Sequence, residues 1–173
     1  MFWSDNRESI YEHLDSLGLL GSRKKKIILY APTWRGDDFS KPRKEADKYL
    51  HFIEEMEKKL CSDEYQILVK PHQQVYHQIE ERSDIKGKFV PSSVDTNELL
   101  SVTDILVTDY SSIYFDFLAT GRPVLFYIPD LEEYEDTRGF YLPLNELPGP
   151  ASQSLEDVPQ WIMKIEDVQR EYS

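Results

Sequence analysis

Cysteine is nearly absent: Cys61 is the only one in 173 residues. A single thiol excludes an intrachain disulfide framework and fits a reducing cytoplasm. Cys61 follows a helical pattern and reads as chemically inert. No apolar run approaches the roughly 18 residues of a membrane-crossing helix. The opening "MFWSDNRES" lacks the basic start and long apolar stretch of a signal peptide. Positive charge is also scarce, with 20 Lys and Arg against 32 Asp and Glu and a net charge of −12. A surface of that sign disfavours non-specific binding to nucleic acid or anionic lipid, so an anionic ligand needs a local cluster of donors. Three phosphate and nucleophile motifs are missing. Without Gly-x-Gly-x-x-Gly a nicotinamide or flavin site is excluded, and without Gly-x4-Gly-Lys-Ser/Thr a P-loop is excluded. The lack of Gly-x-Ser-x-Gly excludes the hydrolase elbow. His72-x4-His77 does not place two imidazoles on one helix face, and no Cys or carboxylate completes a zinc set. His13 and His51 fall on outer helical patterns. No metal or cofactor is expected. There is no internal repeat and no low-complexity linker.

What is present is enough to fold. Apolar residues make up 40% and aromatics 13%, which suits one domain with its own core. Residues 5–18 have a helical pattern with Asp5 as cap, Ile10, Leu14 and Leu17 on one face, and Gly18 as stop. "IILYA" (27–31) is a strand, 33–47 a polar loop and 45–60 a helix. "YQILVK" (65–70) is a strand, followed by a helix over 73–82 and a short strand at "KFV" (88–90). "DTNELLSV" (95–102) is a short helix with Asp95 as cap. A strand over 104–108, a helix over 111–120 and a strand over 123–128 follow. Residues 129–154 are irregular, and 155–168 form a last helix whose start Pro159 limits. The strands are continuous apolar runs alternating with helices. This predicts a Rossmann-like, doubly wound α/β domain with a parallel sheet buried on both faces.

In such sheets ligands sit beyond the carboxyl ends of the strands. The residues predicted there are Thr33, Arg35, Lys70, His72, Ser92, Ser93, Asp109, Ser111, Ser112 and Arg138. That is a donor-rich rim on an acidic protein, and it suits a phosphorylated ligand. Ser111 and Ser112 open a helix, where unpaired N–H groups and the dipole favour phosphate oxygens. A serine at that point is in the first place an N-cap. His72, beside Lys70, can donate to a phosphate oxygen or protonate a leaving phosphate. Asp109 and Asp116 would repel phosphate. They therefore suit orienting the turn or binding ligand hydroxyls. The aromatics of 110–117 read as core, on a helix apolar almost all round and buried against the sheet.

"ILYAPTWR" (28–35), "LVKPH" (68–72), "DILVTDYSSIYFDFLATGRPVLFY" (104–127) and "DLEEYEDTRGFY" (130–141) resemble, in this order, the C-terminal donor domain of the CDP-glycerol glycerophosphotransferase family, the teichoic-acid primases and polymerases. The resemblance implies the C-terminal half of a GT-B fold, with residues 1–173 as a single nucleotide-donor-binding domain and the acceptor domain absent. It implies transfer of phosphoglycerol from CDP-glycerol to a lipid-linked or polymer acceptor, with release of CMP, by positioning and charge stabilisation. Position by position, it makes His72 the donor-diphosphate histidine and Ser111 and Ser112 the donor-phosphate turn. Thr33 and Arg35 fall at the site mouth, Asp116 and Arg138 at motif positions, and the backbone near Val90 would read the cytosine.

Two departures stand out. The family's Lys-x-His-Pro here reads "KPHQ", with the proline before His72. No histidine is followed by glycine, so the acceptor half's His-Gly-Thr-Pro motif is missing. The implied fragment would bind donor and turn over little or nothing alone. The full enzyme would work in the cytoplasm at the inner face of the membrane, with membrane contact supplied by its other parts and no role for nucleic acid. Other readings share the pattern: the donor half of a CDP-ribitol transferase, of a UDP-sugar GT-B glycosyltransferase or of an epimerase. A non-catalytic α/β partner-binding or response-regulator-like module is a reading of another class.

Overall fold

The computed structural model describes residues 7–21, 25–33, 42–109, 112–129 and 146–172. Helix α1 (Arg7–Ser16) precedes β1 (Lys26–Ala31), α2 (Pro42–Lys59), β2 (Tyr65–Val69) and α3 (Gln73–Ile79). Then come α4 (Thr96–Val102), β3 (Ile105–Thr108), α5 (Ile113–Leu118), β4 (Val124–Tyr127), β5 (Ala151–Ser152), α6 (Asp157–Met163) and α7 (Ile165–Tyr172). The five strands form one sheet in the order β2-β1-β3-β4-β5, and every pair is parallel. The chain starts in the middle, winds outward to β2, then crosses back past β1 to β3. The order therefore reverses between β1 and β3, and a crevice opens at their carboxyl ends.

Successive residues of each strand feed opposite faces. Ile27, Leu29, Leu106, Val124 and Phe126 face a core closed by α1, α4 and α5. Ile28, Tyr30, Ile67, Val107 and Leu125 face one closed by α2, α3 and α6. The expected doubly wound α/β fold is therefore present. Its stability rests on these side chains, each worth about 1.5–3 kcal/mol of burial. Helix α2 shows the spacing behind this: Ala46, Tyr49, Ile53 and Met56 recur at three and four residues, Leu60 continues the row just past its end, and all are buried. Helix α1 ends as its glycine dictates. Gly18 has φ +75, and the Leu19 N–H reaches back to the Leu14 carbonyl at 3.1 Å. Asp95 caps α4 by accepting from the Glu98 N–H at 3.1 Å.

Several elements depart from the expected ones. The strand at 88–90 shrinks to a single parallel bridge, Val69↔Phe89, because Pro91 turns the chain away immediately. The fifth strand is instead Ala151–Ser152, inside a stretch read as irregular; two small residues carry no period. The last helix is split at Lys164, whose φ −114 and ψ 32 are not helical. Pro159 falls within the first turn of α6, where its missing N–H costs nothing. The helix after β3 is not buried all round. Tyr114 and Phe117 are inside, but Phe115 and Leu118 are 46% and 40% exposed.

Two ties bracket the central β1–β3 pair. At the amino end, the Ile27 N–H donates to Asp104 Oδ2 at 2.8 Å. At the carboxyl end, the buried Thr108 hydroxyl donates to the Ala31 carbonyl at 2.8 Å. On the far side of β3, Arg122 donates to the Ser101 and Thr103 carbonyls at 2.9 and 2.7 Å, closing the last turn of α4. Gly149 lies so close to β4 that a Cβ there would stand 1.8 Å from the Val124 carbonyl oxygen.

Candidate functional site

A cleft of about 470 Å³ opens at the carboxyl ends of β1, β2 and β3, on the crevice where the strand order reverses. Pro32 and Thr33 enter it from β1, and Lys70 and His72 from β2. Ser92 and Thr96 come from the segment leading into α4, and Ser112 and Asp116 from α5. Among the described lining residues Lys70 is the one cationic side chain and Asp116 the one carboxylate. The wall is otherwise hydroxyl-rich.

Some of these polar groups hold the cleft together. Asp109 is 1% exposed, one residue past β3. Its Oδ1 accepts from the Thr33 N–H at 2.9 Å and the Thr33 hydroxyl at 2.6 Å, and its Oδ2 from the same N–H at 3.2 Å. This carboxylate therefore bridges the crevice and fixes how the chain leaves β1. His72 is the N-cap of α3, its Nδ1 accepting from the Gln74 N–H at 3.2 Å. An accepting Nδ1 puts the proton of the neutral ring on Nε2 and makes Nε2 the donor. Partial burial pushes the imidazole below its ordinary pKa, so it is neutral near pH 7. Lys70 Nζ bonds to the Pro91 carbonyl at 3.1 Å and lies 3.5 Å from that of Val94. Burial pushes its ammonium below the usual lysine range, and Asp95 partly offsets this.

Other groups on the cleft wall are not tied into the frame among the described residues. The Ser112 hydroxyl makes no cap bond, although Ser112 is the N-cap of α5. Ser112 and Asp116 are both exposed.

The structure thus brings Thr33, Lys70, His72, Ser92, Ser112 and Asp116 to one cleft, with Asp109 beneath it. Ser93 is exposed but does not line the cleft. Val90 is fully buried at the base of the 91–96 wall, and its N–H is engaged on the Val69 carbonyl at 2.8 Å. Arg35, Ser111 and Arg138 lie outside the described residues. Gln73 and Thr96 line the cleft and were missed. The signal for both was their place: each is the first residue of a helix that starts beside a strand end. Among the described residues no group of three or more His, Cys, Asp or Glu is placed to hold a metal ion, and no helix is long and apolar enough to cross a membrane.

Comparison with known proteins extends these observations. The family model for CDP-glycerol:poly(glycerophosphate) glycerophosphotransferase matches residues 3–173. A teichoic acid poly(glycerol phosphate) polymerase of Bacillus spizizenii is 36% identical over 171 residues, covering 96% of this chain and 42% of its own length. A teichoic acid glycerol-phosphate transferase of Staphylococcus aureus is 38% identical over 150 residues, covering 86% of this chain and 38% of its own. Among solved structures, the wall teichoic acid polymerase TagF superposes with a TM-score of 0.77 at 32% identity, over 98% of this chain and 41% of that one. A variant of that polymerase soaked with CDPG gives 0.73 at 30% identity, over 98% of this chain and 38% of that one. The chain therefore spans less than half the length of the relatives it matches.

Proposed function

Because this chain belongs to the CDP-glycerol:poly(glycerophosphate) glycerophosphotransferase family, we propose that residues 1–173 form the nucleotide-donor-binding domain, the C-terminal GT-B half, of an enzyme that transfers phosphoglycerol from CDP-glycerol to a teichoic-acid or related surface-polymer acceptor. The carrying observation is the cleft at the strand-order reversal, with its hydroxyl wall, the His72 imidazole and Lys70, the one cation among the described lining residues. In the reaction an acceptor hydroxyl attacks the glycerol-bearing phosphorus. The bond from that phosphorus to the bridging oxygen breaks, and CMP leaves with the electron pair. A base outside this chain takes the acceptor proton. This domain contributes position and charge stabilisation. His72 Nε2–H donates to a diphosphate oxygen, Ser111 and Ser112 hold the phosphates, and Arg35 and Arg138 are the candidates for further positive charge on the ligand. Asp116 accepts from hydroxyls of the alcohol. Asp109 acts through Thr33. The lipid-linked or polymer acceptor, and contact with the inner face of the membrane, belong to the part of the enzyme this chain does not span.

Calorimetric titration with CDP-glycerol, CDP-ribitol, UDP-N-acetylglucosamine and CMP tests the reading. The ribitol arm matters because a ribitol-phosphate primase of Bacillus spizizenii is 33% identical over 145 residues. CDP-glycerol is expected to bind best, and His72→Ala to weaken it about tenfold, the scale of one charge-assisted hydrogen bond. Preference for the UDP-sugar would overturn the reading.

A pH dependence follows from the same residue. In the free cleft burial holds the imidazole pKa down, whereas a diphosphate beside it raises that pKa in the complex. Binding is therefore expected to tighten as pH falls from the complex value towards the free value, by at most about tenfold per unit. It should level off below the free value. His72→Ala should flatten this profile.

A further inference from the structure

Lys70 is the one cation among the described residues lining the cleft, and a phosphate ligand is its obvious partner. The geometry points to a different role, which rests on the donor-site reading above. We infer that Lys70 is a positioning residue that builds the 91–96 wall of the cleft and presents its hydroxyls to the nucleoside, and that its ammonium is not the phosphate's ligand.

The wall has little else to fix it. Up to Val90 the chain is laddered to β2, through Val69 N–H to the Lys88 carbonyl at 2.9 Å and Val90 N–H to the Val69 carbonyl at 2.8 Å. Beyond that the ladder stops. Pro91 has no N–H to donate, and the next main-chain bond is a local turn, Val94 N–H to the Pro91 carbonyl at 3.1 Å. Among the described residues, the bonds joining 91–94 to the sheet end are the two from Lys70 Nζ, to Pro91 and Val94. They grip both ends of that turn. Lys70 is itself anchored, its N–H donating to the Tyr30 carbonyl at 2.9 Å. The Val94 side chain packs into the core below. Packing thus sets the depth of the turn, and the ammonium sets the direction of its carbonyls. Ser92 and Thr96, on either side of Val94, are then placed in the cleft. An ammonium has three N–H groups, and two are engaged on main-chain oxygens.

The test uses this chain with Lys70→Met and Lys70→Arg. The first readout is amide hydrogen exchange over 91–96 without ligand. The second is binding of CDP-glycerol and of cytidine, which carries no phosphate, at two salt concentrations and at a temperature where all variants are folded. Lys70→Met is expected to raise exchange across 91–96 and to weaken CDP-glycerol and cytidine by the same factor, about tenfold. The salt dependence should not change, and Lys70→Arg should recover most of the affinity. Unaltered exchange would overturn the inference. So would a loss confined to CDP-glycerol, or a flattened salt dependence, because both mark a cation on the phosphate. Binding by the wild type that Lys70→Met leaves untouched overturns the positioning role alone. If the wild type binds neither ligand, the donor-site reading and this role fall together.

Discussion

Replacing Gly149 with alanine is expected to lower the melting temperature by about 10 °C, the shift that a loss of some 3–5 kcal/mol produces in a chain of this size. The added Cβ would stand 1.8 Å from the Val124 carbonyl oxygen and 3.0 Å from its carbon. Both are main-chain atoms, so no rotamer change relieves the overlap. The strand approach must widen instead. That breaks the bond from the Phe126 N–H to the Pro150 carbonyl, 2.8 Å long. It also breaks the β4–β5 register, Phe126↔Ala151 and Tyr127↔Ser152, which pairs β5 to the sheet. Gly21→Ala is the comparator. Its nearest atoms are the ends of two flexible side chains, Lys25 Nζ at 3.4 Å and Gln66 Oε1 at 3.6 Å, so it should melt within a few degrees of wild type. Thermal unfolding followed by circular dichroism checks both. Equal melting of the two variants would show that the β4–β5 approach yields without cost.

Asp109→Ala is expected to cost about 3 kcal/mol of stability and to weaken donor binding more than about tenfold. The carboxylate is buried and holds both the main-chain N–H and the hydroxyl of Thr33 on one oxygen. Alanine strands these donors and releases the exit of β1, on which Pro32 and Thr33 line the cleft. Asp109→Asn separates the tie from its charge. Its Oδ1 can keep both bonds, while an amide nitrogen, a donor, replaces Oδ2 and gives up the 3.2 Å bond from the Thr33 N–H. A loss of about 1 kcal/mol with near-normal donor affinity is therefore expected. Urea unfolding and calorimetric titration measure the two effects on the same samples. An asparagine variant as impaired in binding as the alanine one would indicate that the negative charge itself, not the Thr33 tie, serves the site.

The sheet was legible because its strands are buried on both faces. "IILYA" and "DILVT" carry unbroken apolar runs of strand length, and the helices between them repeat at three and four residues. The parallel order followed from that alternation. Ala151–Ser152 was not legible, since what makes it a strand is the neighbouring β4 and the glycine that lets it come close. The site was legible as a set of strand ends, but not in its division of labour. Sequence cannot show that the Thr33 hydroxyl is engaged by a carboxylate 76 positions away. Nor can it show that the Lys70 ammonium closes on carbonyls 21 and 24 positions on. Thr33 and Lys70 were read as ligand groups because their chemistry suits a ligand, and Asp109 as either orienting the turn or binding ligand hydroxyls. Partnership across the fold ties all three into the frame.

The separation between polar groups tied into the frame and polar groups exposed on the cleft wall has a consequence for how such a site can change over generations. Thr33, Lys70 and Asp109 are tied into the frame, so exchanging any of them disturbs the fold as well as the ligand. Ser112 and Asp116 are exposed on the cleft wall, and the Ser112 hydroxyl caps nothing. Exchanging them leaves the frame intact, and exposed positions of this kind usually cost within about 0.5 kcal/mol. Selection can therefore try new side chains there without first gaining spare stability. One scaffold built in this way can move between donors that differ in the number and placement of their hydroxyls, and its sheet need not register the change.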